Sequence, residues 1–187
     1  MKIKISSSIK TKFPFAKYIN RMLSVIPQED VVGISMINIV DKFVSNDKNS
    51  KESMAQYLID KSNNSLIEIN ISRIIAEKKI PEYLFNLYPE IAALLLSEIV
   101  FHEIGHHVHH FKRHGIKKSK KENFADIYAK VGYFNYIKSH YTKILSSYRW
   151  AYLNFFCFDK NERKAFQKAK NEIEEWMNKC DGDIDYP

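Results

Sequence analysis

An α+β fold in a single domain spanning 1–187 is predicted by this sequence, on three observations. Short β-branched segments are confined to the first 71 residues, where one amphipathic helix accompanies them. Two of those segments are joined by a turn-forming cluster, the pattern of an antiparallel hairpin. From Pro89 onward the apolar residues follow helical spacing nearly to the end of the chain. Strands and helices are thus segregated along the sequence, which is the pattern of the α+β class. Residues 1–88 read as mainly sheet-forming with one helix, 89–180 as helical, and 181–187 as a short acidic tail.

Residues 2–6 suit a short strand. After Pro14, a residue favoured at a first helical turn, Phe15, Tyr18, Ile19, Met22, Leu23 and Ile26 keep one helical face apolar until Pro27 ends the run. Val31–Val40 is short and β-branched, and reads as a buried strand. Asn46–Ser53 is polar and reads as a loop. Gln56–Asp60 and Leu66–Ile71, separated by Lys61–Ser65, read as the hairpin. In its second arm Leu66, Glu68 and Asn70 alternate with Ile67, Ile69 and Ile71, as expected of a half-exposed strand at a sheet edge. Ser72–Tyr88 shows no clear period.

Pro89 to His114 reads as a helix stopped by Gly115, and its first half, Ile91–Phe101, is apolar nearly all round, as in the central helix of a domain. Lys117–Lys121 is a basic linker. Helices are then expected over Glu122 to about Tyr141, over Lys143–Phe158, and from a capping box at Asp159–Glu162 through Lys179, with Ala165, Phe166, Ala169, Ile173, Trp176 and Met177 inward.

Composition narrows the function. With 45% hydrophobic and 27% charged residues, the chain has an ordinary globular balance. The +7 charge, from 29 Lys+Arg against 22 Asp+Glu, reads first as a lysine-rich solvated surface. Cys157 and Cys180 lack CxxC spacing, so neither a zinc ribbon nor a disulfide framework is indicated, and a reducing compartment is expected. The N-terminus lacks the apolar core of a signal peptide, and the longest apolar run, Ile91–Leu96, falls short of the ~20 residues of a membrane span. A cytoplasmic protein without membrane contact is the expectation.

Chemistry concentrates in Phe101–His107, which contains an HExxH motif at His102, Glu103 and His106. On a helix, residues i and i+4 share a face, so two imidazoles would grip one metal from successive turns. Glu103, beside the first histidine, can reach a water at that metal without ligating it, and suits a general base. Gly105 costs up to ~1 kcal/mol of helix propensity, which is explained if its missing side chain lets another backbone pass close by.

Catalytic zinc ordinarily takes three protein ligands and leaves a fourth position open. Glu122, sixteen residues after His106, is the best candidate for the third; it opens an ExxAD segment, Glu122–Asp126, on a second helix. Ser119-Lys-Lys-Glu122 is also a capping box, a rival role for the same carboxylate, and Asp126 is the alternative ligand. Asp126 otherwise suits a hydrogen bond to the outer nitrogen of a ligating histidine. Ala125 and Ala129 are small where the two helices would approach.

HEIGH followed by ExxAD closely resembles the gluzincin branch of the zincin metallopeptidases, and is most similar to small soluble members such as the ImmA/IrrE-like peptidases. Their second motif is usually ExxAN or similar, so Asp126 is a departure; ExxAD is more typical of membrane-embedded gluzincins. The resemblance is specific over about Ser97–Ala129 and only suggestive over Val31–Ile71. It implies a zincin-like fold, with a small, strongly twisted mixed sheet above the active helix. It also implies peptide-bond hydrolysis with one Zn2+ per chain, His102, His106 and Glu122 as ligands and Glu103 as base. SprT-like proteases take a third histidine instead, and no convincing spacing for one exists here.

The partner expected on this reading is a protein or peptide substrate, with Leu66, Ile67, Glu68, Ile69 and Asn70 as an edge that could bind it by strand addition. A plain structural hairpin explains the same five residues equally well. The competing readings are a catalytically silent zincin-fold binding or regulatory protein and a nucleic-acid-associated protein using Lys112, Arg113, Lys117, Lys118, Lys120 and Lys121; lacking a reader motif, the latter ranks lower. His107, His109, His110 and His114 are expected to be exposed or near a helix C-terminus, where positive charge is favourable. His140, Tyr141, Tyr136 and Tyr133 could each face an oxyanion, but aromatic-rich helices more often build cores.

Overall fold

The computed structural model describes residues 1–43, 53–60, 64–78, 82–112, 120–154, 160–179 and 186. A four-stranded mixed sheet packs on the helices. Its strands are β1 (Lys2–Ile5), β2 (Ile34–Val40), β3 (Ala55–Ile59) and β4 (Ser65–Asn70), in the spatial order β1-β2-β4-β3. β1 and β4 both run parallel to β2, while β3 pairs antiparallel with β4. Ile37 and Ile39 on β2 lie in register with Ile67 and Ile69 on β4, and all four are fully buried on one face. On the other face Glu68 accepts from Asn38 (3.0 Å) and Gln56 (2.7 Å).

The hairpin forms as expected, but β4 is not an edge. It is hydrogen-bonded on both sides, to β2 and β3; among the described residues β1 and β3 are the two edges of the sheet. The alternation in Leu66–Asn70 did locate the two faces of the strand correctly. Alternation reports faces; lateral neighbours depend on pairing with β2, about 30 residues earlier, which leaves no local trace.

Helix α1 (Phe15–Leu23) buries Phe15, Tyr18, Ile19, Met22 and Leu23 on the predicted face, with Pro14 just before it. It stops one turn before Pro27, and a 3-10 turn (Gln28–Asp30) leads to β2. Ser72–Tyr88, without a clear period in sequence, contains two short helices, α2 (Ile71–Glu77) and α3 (Glu82–Leu87). Asn70 caps α2 by accepting from the Arg73 backbone N–H at 3.0 Å. Six- and seven-residue helices span too few turns to establish a period.

The centre is α4 (Pro89–Lys112), buried from Ile91 through His109 on most of its circumference. It is long and apolar enough to cross a membrane by composition, yet 83% of its most apolar window is buried inside the molecule. Arg21 anchors its first turn, donating to both oxygens of Glu90 at 2.8 and 3.0 Å, while Tyr18 donates to Glu90 at 3.0 Å.

Against α4 lies α5 (Lys121–Asn154), one continuous helix where two were expected; the polar stretch near Thr142 contains no proline or glycine to interrupt it. The last helix, α6 (Lys160–Lys179), packs on α5 through Ile173, Ala169 and Met177. The expected loop at 46–52, the stop at Gly115, the start of the basic linker, the cap at Asp159 and both cysteines lie outside the described residues. Of the tail, Tyr186 is described; it donates to the Val25 carbonyl at 2.9 Å and packs on Tyr128.

Candidate metal centre

Two features of α4 and α5 bring the motif residues together. His102 and His106 project from successive turns of α4, with ring centroids 4.6 Å apart. α5 starts beside them because the helices approach unusually closely at Gly105. A Cβ there would lie 2.8 Å from the Ala125 Cα, 3.0 Å from the Tyr128 Cβ and 3.2 Å from the Ala125 carbonyl oxygen. Gly105 is therefore where the Ala125 backbone passes, and its propensity cost is the condition for closing the site. Farther along, Gly132 accommodates the Phe101 ring, whose atoms lie 2.6–2.9 Å from where a Cβ would be.

This approach places Glu122, in the first turn of α5, with Oε2 at 3.5 Å from Nε2 of both His102 and His106. The ligand atoms of these three residues lie within 4.8 Å of one another, so they could hold a metal ion. For zinc, bonds of about 2.0–2.2 Å in a tetrahedron put ligand atoms roughly 3.3–3.5 Å apart, so both Glu122 contacts fit the edge of such a tetrahedron. The carboxylate is thus turned to the imidazoles; Ser119, the other half of its alternative capping box, lies outside the described residues. Asp126, one turn on, holds His102 Nδ1 at 3.1 Å, leaving Nε2 to face Glu122. His106 Nδ1 is buried with no hydrogen-bond partner among the described residues.

Glu103 is buried beside this trio, with 6% of its surface exposed. Burial and then the negative charge of Glu122 push its carboxyl up to about 8, against the opposing influence of Lys121 and a hydrogen bond from the Tyr57 backbone. His106 is driven down to about 3, chiefly by burial and then by His102, so its ring is neutral and able to ligate. Glu122 is largely exposed, with 71% of its side chain accessible, so the site is open to solvent on that side. A cavity of about 250 Å³ adjoins it, lined by Met54, Ala55, Ile99, His102 and Glu103 with Lys78 and Glu98.

Other sequence candidates are not brought here. His109 and His110 lie in the last turn of α4, near its C-terminus as expected, although His107 and His109 are buried; His110 is exposed and His114 lies outside the described residues. His107 packs into the sheet and His109 against Phe124, and neither joins the metal group. Tyr136 and His140 stack on each other near Arg21 and Glu90. At 1.5 Å per residue Glu90 lies about 18 Å along α4 from His102, so neither serves an oxyanion at the metal site. Tyr133 lies near Glu98 and Glu172, and Tyr141 packs against the core. Lys112 of the basic cluster is paired with buried Asp30, which also accepts from Tyr128.

Nothing local in the sequence places Tyr57 or Lys121 at this site. Tyr57 is an ordinary aromatic on a strand until the fold sets it above Glu103. Lys121 precedes the Glu122 ligand candidate, and in sequence it reads as part of the basic linker and of the candidate nucleic-acid cluster. No protein-family model, curated protein or solved structure matches this chain.

Proposed function

We propose that the chain is a zinc-dependent metallopeptidase of the gluzincin type that hydrolyses peptide bonds in a protein or peptide substrate. The observation that carries this reading is the meeting of His102, His106 and Glu122 from two helices, with buried Glu103 alongside and one side open. Zinc held by these three would supply Lewis acidity, polarising a scissile carbonyl and acidifying a water.

The protein's own residues supply the rest. Glu103 takes the proton of the attacking water and hands it to the leaving amine; it lies buried beside the three ligand candidates without belonging to their group, which suits it to that transfer. Asp126 keeps the His102 ring in one tautomer and orientation. The free edge of β3 replaces β4 as the strand that an extended substrate would join. Met54 accepts from Asn70, and Asp60 donates to Asn64, so even-numbered residues of β3 point their backbone groups at β4. Those of Ala55, Tyr57 and Ile59 then face outward. The adjoining cavity would receive a substrate side chain.

Metal analysis tests the reading. One zinc per chain is expected in wild type and Glu103→Gln, and none in His102→Ala; absence of stoichiometric metal from wild type overturns it. Wild type but not Glu103→Gln should then cleave fluorescein-labelled casein or members of a peptide library. The deep burial of Glu103 favours one second reading, a silent metal-binding regulator, which predicts bound zinc without cleavage.

A further inference from the structure

Two stripes run along α4 through the same motif. His102 and His106 form one and face α5. Glu103 and His107, also i and i+4, form the other, and both hold a single residue of the edge strand, Tyr57. The Tyr57 backbone faces the Glu103 carboxyl and acts to lower its pKa. Its side-chain hydroxyl lies 3.3 Å from His107 Nδ1 and 2.9 Å from Ser65 Oγ, and its ring meets the His107 ring edge-on at 5.7 Å.

The tautomer of His107 follows from its partners. Nε2 lies 2.8 Å from the Val32 carbonyl, which can only accept, so Nε2 carries the proton. Nδ1 is then an acceptor, and Ser65 Oγ at 3.1 Å is the closer donor, leaving the Tyr57 hydroxyl to donate to Ser65. The hydrogen bonds of this chain run in one direction, Tyr57 to Ser65 to His107 to Val32, with Ser65 and His107 buried at its centre. The loop before β2 seals it. Gly33, with φ +92°, lies against the His107 ring, where a Cβ would touch Cε1 at 3.4 Å, and its carbonyl accepts from the Ser65 N–H at 3.2 Å.

We propose that His107 is a positioning residue: through Ser65 and Tyr57 it fixes the height and register of the edge strand over α4, and so aims the Tyr57 N–H at Glu103. Among the described residues β3 is paired on one side only, and an edge strand held by one neighbour frays unless something else pins it. Two successive turns of α4 pin it at one residue. The consequence for function rests on the peptidase reading: the strand an incoming peptide would join and the carboxylate that moves protons are set by one clamp. The clamp itself is a property of the fold and is testable without catalysis.

The test is amide hydrogen exchange resolved by NMR on the full chain as purified. The Tyr57 amide should be slow in wild type although it faces the free edge, and Glu103→Ala should accelerate it by about tenfold or more. Tyr57→Phe, which keeps ring and backbone but cuts the hydroxyl link, should accelerate the amide at position 57 similarly while the core amides of α4 at Ala92 and Leu94 are unchanged. His107→Gln, whose amide nitrogen can still donate to Val32, should restore less than half of the protection lost in His107→Ala. Wild-type exchange at the rate of an unprotected amide overturns the proposal, as does undiminished protection in Tyr57→Phe or a uniform loss that includes Ala92 and Leu94. If casein is cleaved, Tyr57→Phe should lower kcat several-fold with KM unchanged; if wild type does not cleave, the peptidase reading fails while the exchange result still decides the clamp.

Discussion

Glu103 and His106 carry opposite electrostatic burdens, and their pH signatures separate. Glu103 has its folded pKa raised to about 8 from an unfolded value of 4.5. Between those values the unfolded chain has ionised this group and the native state has not, so stability falls as pH rises through that window. His106 has its folded pKa lowered to about 3 from 6.5, so its neutral form stabilises the native state above 6.5, and that contribution is lost as pH falls below it. From pH 6.5 to 8 the Glu103 contribution stands apart from that of His106. Metal-free wild type should lose roughly 2 kcal/mol over that interval in urea unfolding, and Glu103→Gln should flatten the decline. An unchanged decline in the variant would assign the effect to another group.

Asp126 gives a second residue-level prediction. Its 3.1 Å contact orients His102 rather than the metal, so Asp126→Ala should weaken zinc binding by about 10- to 100-fold in a chelator competition titration without abolishing it. Complete loss of metal would make Asp126 a ligand. His107 shows what a sequence of clustered histidines conceals. His107 and His109 are both buried, one against the sheet and the other against Phe124 of α5, so their burial follows from what packs on each side of α4, not from their own chemistry.

At the scale of elements, the site depends on how closely α4 and α5 approach. Gly105→Ala gains up to ~1 kcal/mol in helix propensity but drives a methyl into the Ala125 backbone, which cannot swing aside as a side chain can. Overpacking of this kind costs about 1–3 kcal/mol. The variant should therefore unfold at lower denaturant and bind zinc more weakly, because Glu122 moves off with α5; an increase in stability with intact zinc affinity would contradict the close approach. The sheet teaches a parallel lesson. Periodicity gave β4 its buried face through Ile67 and Ile69, yet its central position follows from parallel pairing with β2. Strand addition is accordingly proposed at β3.

For the whole molecule, the metal group joins the start of α5 to the end of α4, so an ion there binds the folded chain and not the unfolded one. Zinc at about 100 times its dissociation constant should stabilise wild type by about 2.7 kcal/mol, raising Tm by about 5–10 °C for a chain of this size. Chelation should reverse the shift, and His102→Ala should show none. An equal zinc-induced rise in His102→Ala would place the ion elsewhere.

The sequence by itself determined the α+β class, the helical setting of His102, Glu103 and His106, and the small residues where α5 would pass, since each is written in local spacing and side-chain size. It nominated Glu122 and Asp126 but left each with a second role open, because a carboxylate near a helix start serves a cap as well as a metal. The tertiary structure brings Ala125 against Gly105 and turns Glu122 toward both imidazoles. It alone revealed the central place of β4, the unbroken course of α5, and the grip of Glu103 and His107 on Tyr57. Those are contacts between residues some 25–50 positions apart, or the absence of a break, and neither has a local period to read.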